Sequence, residues 1–380
     1  LRAGSPGAAL PQATFAVGAV DASARYVRAV NTRADALLDG PRGRRACLEV
    51  LSAEASGEFH QALFWASYWA SDERGTLFGF SADGTPITPE AEPAPSAAEL
   101  AAIASRIDLS GPVDAAGALA ASVGSAMYWE ARDGDDAIAA EPELRPALRR
   151  AAERLVEDPA TAWWWREATA EQWAIEADDR DAPDPIDVGA ALDQWRSASH
   201  ASEEEAIRDR ASDPHANLSG AWWSTPDGIP VTTGPAPTGE PVGLRFVEDA
   251  FSWAELTASA VEWRGRVFEI RSSRDWAALC RRYPLAVTAS RRHDWYRVTG
   301  RSGGWLIPDW SRVRADWDGV HLSVGAYLEA ATREIPVDDD GATVLAGWSP
   351  DETRWLSNVA HRTGERVLWR EQDDESWRAT

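Results

Sequence analysis

Hydrophobic positions fall into two textures along this chain. Over residues 1–176 they recur mostly three and four apart, the spacing of a helix face. In GEFHQALFWASYWASDE, Phe59, Leu63, Trp65 and Trp69 lie near that spacing. SAAELAAIASRID predicts a helix with Ser96 as N-cap and Glu99 three residues on, a capping-box pair. AAGALAASVGSAMYWEA continues in helix. EPELRPALRRAAERLVEDPATAWWWREATAEQWAIEAD predicts the strongest helical segment. It sets Leu144, Leu148, Ala152 and Leu155 against Arg149, Arg150 and Arg154, with Pro146 in its first turn. TFAVGAVDA and RRACLEVLSAE are short apolar runs with β-branched residues and read as strands.

The acidic stretch ADDRDAPDPIDVGA, 177–190, carries Pro183 and Pro185 and predicts a linker. A solvated helix follows, in which Glu204 and Arg208 pair at i,i+4. Beyond it, GAWWSTP, VGLRFVED, VEWRGRVFEIRS, LAVTAS, DGVHLSVGAYL and ATVLAGW read as short strands broken by Gly, Pro and Asp. SRDWAALCRRYP predicts a helix, DWSRVRADW a shorter one, and REQDDESWRAT a loosely held end. The expected fold class is α+β. An α-rich N-terminal domain, 1–176, is joined to a mixed or antiparallel sheet domain with short helices, 191–380.

Composition narrows the chemistry. All 38 basic residues are Arg, so Schiff-base catalysis on Lys and a Lys-bearing phosphate loop are excluded. The net charge of −23 argues against bulk nucleic-acid binding and against anionic membranes. No apolar run approaches the ~20 residues of a membrane span. The N-terminal LRAGSPGAAL has no signal-peptide pattern, which points to a cytoplasmic protein. Cys47 and Cys280 lie far apart and read as structural thiols.

None of the six histidines stands in a metal-ligand spacing, so no metal is expected. His321 lies in the strand WDGVHLSV. Alternation there puts Val320 and Leu322 toward the core and His321 with Ser323 toward water or a cleft. GAWWSTP places Trp222 and Trp223 beside Ser224 and Thr225. An indole can stack a planar ring such as nicotinamide, and a hydroxyl can fix its amide or ribose. Glu248 and Asp249 end the run GLRFVED, where adjacent strand carboxylates point apart.

The stretches ARYVRAVNTRADALLDGPRGRRACLEVL, AMYWEARDGDD, WWWREATAEQWA and VLAGWSPDETRWL resemble a Trp-rich actinobacterial protein family that brings no activity with it. GAWWSTP, VFEIRSSRDW and PDWSRVRADWDGVHLS together resemble ADP-ribosyltransferase-like domains, small split sheets that clasp NAD. Those domains carry an Arg or His on one strand, a Ser-Thr-Ser or a Tyr on the next, and a late Glu. Here Pro226 follows Ser224-Thr225, no late E-x-E stands out, and His321 occupies the strand where the acid is sought. The resemblance implies an NAD-using ADP-ribosyltransferase or NAD glycohydrolase with a small-molecule nucleotide or a protein acceptor as partner. Trp222, Trp223, Ser224 and Thr225 would hold the cofactor, and Glu248, Glu269 and His321 would carry catalysis. Two alternatives remain: a non-catalytic interaction module with a Trp/Arg-rich face, and a nucleotide or glycoside hydrolase using Asp/Glu pairs.

Overall fold

The structure, a computed structural model, describes residues 16–71, 79–80, 86–87, 93–177, 186–248, 253–373 and 375–380. Of 16–27, 79–80 and 86–87 only the backbone is described. The helical region comprises α1 (Ala16–Asp39), α2 (Pro41–Ala53), α3 (Gly57–Ala70), α4 (Ala97–Ala104), α5 (Ala115–Gly124), α6 (Gly134–Ala139) and α7 (Arg145–Glu157). A two-residue ladder, β1 (Gly79–Phe80) with β2 (Pro86–Ile87), lies between α3 and α4 in the chain. α2 packs on α1, α5 and α7, and α3 packs on α4 and α6. The Ser96–Glu99 capping box closes in both directions: Ser96 N–H donates to Glu99 at 2.8 Å and Glu99 N–H to Ser96 at 3.2 Å.

Two expected strands here are helical. The run at 44–54 buries Ala46, Cys47, Leu48, Val50 and Leu51, a three-and-four spacing that its β-branched residue does not override. Of the run at 14–22, residues 16–22 belong to α1, and 14–15 lie outside the described residues. The long helix expected from 141 to 178 breaks at Asp158-Pro159, because proline supplies no N–H for the i–4 bond. A 3-10 run, 159–165, follows it. β3 (Gln172–Glu176) then joins the C-terminal sheet, so the expected domain boundary at 176 cuts behind a strand of the second texture.

The second region holds β4 (Val231–Thr233), β5 (Glu255–Trp263), β6 (Val267–Ile270), β7 (Pro284–Ala286), β8 (Gly304–Pro308), β9 (Gly319–Leu322), β10 (Ile335–Pro336), β11 (Gly341–Thr343), β12 (Glu352–Trp355), β13 (Ala360–Glu371) and β14 (Trp377–Ala379). Its helices are α8 (Val188–Asp209), α9 (Ser273–Arg282), α10 (Thr288–Thr299), α11 (Trp310–Val313) and α12 (Val324–Ala330). The main sheet has the order β14-β13-β5-β3-β4-β12-β9-β6 and is antiparallel except for the β6–β9 pair. A four-stranded sheet, β10-β11-β8-β7, mixes one parallel with two antiparallel pairings. The α+β reading therefore holds. The linker expected at 177–190 falls largely outside the described residues, and α8 starts within it, at Val188. The C-terminal end is more tightly held than expected: β14 pairs with β13, and Trp377 is buried.

The stretch around GAWWSTP belongs to no strand. Its backbone groups are met by other partners, so the chain stays extended without a ladder. Trp295 Nε1 donates to the Trp222 carbonyl at 2.7 Å, Trp310 Nε1 to Ser224 O at 3.0 Å, and Arg291 Nε to Trp223 O at 3.3 Å. VGLRFVED is likewise no strand and begins with a 3-10 turn, Val242–Leu244.

One apolar core runs through both regions, from Val30 of α1 to Leu356 beyond β12. α12 is the joint, packing on α1 and α2. Close approach there needs Gly40, whose missing Cβ would lie 2.0 Å from Leu328 O. Gly40→Ala should therefore lower stability by about 1–3 kcal/mol in urea unfolding, because a backbone atom cannot swing aside. Gly57→Ala, with nothing within 4 Å of its Cβ, should be neutral or slightly stabilising. Equal stability of Gly40→Ala and the parent chain would rule out this joint.

Candidate functional site

The segment Ala346–Glu352 gathers the polar groups of the C-terminal half. It starts as a clamp on Ser224 and Thr225. Ser224 N–H and its hydroxyl donate to Ala346 O at 2.9 and 3.0 Å, and Thr225 donates to Gly347 O at 3.0 Å. Gly347 turns the chain with φ +70°, which glycine adopts without strain, and a Cβ there would crowd Trp223 Cβ at 3.0 Å. Trp222 stacks on Tyr128 at 5.3 Å and 3°, and it also meets Trp129 and Trp223. Ser224, Thr225 and Trp222 are thus engaged with the protein itself rather than presented to a cavity.

Asp351 also has positive φ, +58°, a backbone state that Asp tolerates better than most residues. Three partners hold it there. Arg166 grips the carboxylate in a fork, Nε–Oδ1 3.1 Å and Nη2–Oδ2 2.9 Å. Gly234 N–H donates at 3.0 Å. His321 Nε2 lies 3.6 Å away, an ion-pair separation longer than a hydrogen bond. On the other side of the ring, His321 Nδ1 meets Glu269 Oε2 at 2.7 Å, and Glu269 Oε1 accepts Ala168 N–H at 3.0 Å. Residues 269 and 321 are register partners on the parallel pair β6–β9, so their side chains leave one face side by side.

The result is a row of alternating charge, Glu269–His321–Asp351–Arg166, with His321 and Asp351 buried and the two ends partly buried. His321 is wholly buried, not facing water or a cleft as its strand alternation suggested: β9 is central between β6 and β12, and Glu269 and Asp351 close on its ring. Burial alone would depress its pKa. The nearby charge of Asp351 and the hydrogen bond and charge of Glu269 outweigh that and raise it to about 9. Asp351 is held below the ordinary carboxylate value, its burial offset by His321 and Arg166.

Thr353 is the register partner of His321 and shares its face, so Glu352, one residue earlier on β12, leaves the opposite face of the sheet. Trp173 of β3 pairs with Thr233 of β4, and Thr233 pairs with Glu352 of β12, so the three form one row across adjacent strands. That row lines a half-open cleft of about 210 Å³, completed by Val247, Trp253 and Ser349. Thr233 Oγ1 is buried without a hydrogen-bond partner. Glu352 lies 2.8 Å from the Arg354 guanidinium. Burial raises the Glu352 pKa above the ordinary value, with Arg354 acting against it. A second hollow of about 190 Å³ shares Val247 and Trp253 as its partition and reaches Arg245 and Trp377.

Of the residues the sequence singled out, Glu269 and His321 meet each other. Glu248 lies elsewhere, its carboxylate accepting the Tyr128 hydroxyl. Asp351, Arg166, Glu352, Trp173 and Thr233 went unnoticed. The signal was present in WSPDETRW, where an adjacent carboxylate pair stands at the entry to a strand. Both cysteines are buried, which pushes their thiols up to about 12 and leaves them inert as nucleophiles. Among the described residues, no group of His, Cys, Asp and Glu is arranged for a metal ion. No described helix is long and apolar enough to cross a membrane. No family model, curated protein or solved structure matches the chain.

The charge row fixes the sign of a pH dependence. His321 has a folded pKa above its ordinary 6.5, so its stabilisation is complete below 6.5 and fades as pH rises through about 9. That contribution amounts to about 3 kcal/mol. His321→Gln should flatten the stability profile between pH 7 and 9 and cost about 3–5 kcal/mol at pH 6, since it takes the imidazolium from Glu269 and leaves Asp351 with Arg166 as its one counter-charge. Chemical denaturation across that range checks this; a parent-like slope in His321→Gln would refute it.

Proposed function

We propose that this chain is an enzyme of the glycosyl-transfer type that uses NAD, with the Glu352 cleft as its reaction site. The observation that carries the reading is the row Trp173–Thr233–Glu352, which brings an indole, an unpartnered hydroxyl and one carboxyl to a single half-open cleft. Sites for drug-sized ligands span roughly 300–1,000 Å³, so this one takes a single ring such as nicotinamide, with the rest of the dinucleotide outside. The ring would lie against indole, and Thr233 would bond its amide or ribose. The nicotinamide–ribose C–N bond breaks and its electron pair leaves with the nicotinamide nitrogen. Ionised Glu352 stabilises the positive charge that develops on the ribose. An acceptor, either a protein side chain or water, then bonds to that carbon and loses its proton. In this reading Glu352 takes the role that the sequence assigned to Glu248 or Glu269, and the charge row positions it from the opposite face.

The competing readings have less support. Two-carboxylate glycoside hydrolysis needs a second acid across the substrate, and Glu352 is the one carboxylate among the described residues of this cleft. An interaction face built on Trp would expose several rings together. The exposed large apolar side chains described are scattered, and Trp253 is the one indole among them.

Titration with NAD should quench Trp fluorescence saturably, and incubation should release nicotinamide, read by chromatography. Glu352→Gln should keep the quench and lose about a hundredfold or more of the release. Trp253→Ala should weaken binding about threefold to tenfold. Absence of quenching up to millimolar NAD, or undiminished release by Glu352→Gln, would overturn the proposal.

A further inference from the structure

Glu248 is a buried acid outside both the charge row and the cleft lining. We propose that it is a proton-operated positioning residue, seating the wall of the Glu352 cleft when protonated and loosening it when ionised. The argument starts from where its neighbours come from. Tyr128, in the turn after α5, donates its hydroxyl to Glu248 Oε1 at 2.5 Å. The Tyr327 hydroxyl, on α12, lies beside the same carboxyl. Arg42 of α2 faces it but is committed to Asp136 of α6 and, at 3.0 Å, to the Ser122 carbonyl. Glu352 of β12 faces it with like charge. Glu248 Oε2 and Tyr327 Oη are both buried without a well-formed hydrogen bond. Among the described residues the neighbourhood therefore supplies hydroxyl donors but no uncommitted cation, and burial without a counter-charge penalises the carboxylate.

The same residue touches the cleft through its backbone. Glu248 N–H donates to Ser349 Oγ at 3.3 Å, and both Ser349 and the preceding Val247 line the cleft. On the far side, Tyr128 lies flat on Trp222. One carboxyl thus joins an indole stack, α2 and the turn after α5 of the N-terminal region, α12, and the cleft wall. Burial raises its pKa to about 7. The hydroxyls and Arg42 act against the rise, and Glu352 adds to it. Ionisation on passing through neutral pH places a second negative charge behind Glu352 and strains the Ser349 contact. The proton is lost to solvent, and no other group needs to change state. The importance of the cleft rests on the NAD reading above; the titration itself does not.

The test uses the ligand-free chain, so failure of NAD to bind leaves it intact. Trp fluorescence and near-UV circular dichroism would be followed from pH 5.5 to 8.5. The parent chain should show a transition near pH 7, which Glu248→Gln abolishes. Tyr128→Phe removes a hydrogen bond that favours the carboxylate, so its midpoint should move upward while the ring stack survives. The difference signal between the parent and Trp253→Phe should follow the parent midpoint, because Trp253 stands in the cleft wall. If Glu248→Gln does not fold, the direction of the Tyr128→Phe shift decides. An undiminished transition in Glu248→Gln, an unmoved or lowered midpoint in Tyr128→Phe, or a Trp253 signal indifferent to pH would each overturn the proposal.

Discussion

Four charges in a row, Glu269–His321–Asp351–Arg166, the middle two buried, constrain the rest of this molecule. An isolated ion in a protein interior costs several kcal/mol even after relaxation, so each member requires its neighbours. They are contributed by the segment after the 3-10 run, by β6, by β9 and by the turn into β12, regions up to 185 residues apart in the chain. Only one arrangement of these segments leaves no charge alone. Breaking the row at any point exposes the full penalty on the remaining partners, whereas the intact row contributes little beyond offsetting its own desolvation. Its consequence is positional: it fixes where β12 begins.

From that fixed point the functional geometry follows. Asp351, held by Arg166 and the Gly234 N–H in an unusual backbone state, turns its side chain into the charge row. The register of β12 on β9 sets Thr353 opposite His321, so Glu352 leaves the other face, beside Thr233 and Trp173. The residues just upstream in the same segment hold Ser224 and Thr225 by backbone contacts and receive the N–H of Glu248. Rigidity at one cleft edge is thus set from the far side of the sheet, and the opposite wall answers to an acid that titrates near neutrality.

Much of the fold could be read from periodicity. The capping box at Ser96, the helix at 145–157 and the strand character of VEWRGRVFEIRS were legible because local spacing and tertiary packing agree there. Cys47 and its neighbours misled because a β-branched residue occurs within a helical burial pattern. GAWWSTP misled for a different reason. Its extended backbone is satisfied by three side-chain donors, Trp295, Arg291 and Trp310, which come from elements at least 65 residues away and no local pattern announces. The candidate site was half legible: Glu269 and His321 stood out as polar groups on strands. Their meeting depends on the parallel register of β6 and β9, and their second partner, Asp351, lies in a turn whose role appears only once β12 is paired.

The central claim is that His321 is a cation held between two carboxylates. Nitrogen-15 shifts of the imidazole rings, followed by NMR from pH 5 to 10, test it directly, because the chain has only six histidines. The account predicts one ring, absent in His321→Gln, that keeps both nitrogens protonated through neutral pH and titrates near 9. A His321 ring that is already neutral at pH 7 would contradict the charge row and the geometry built on it.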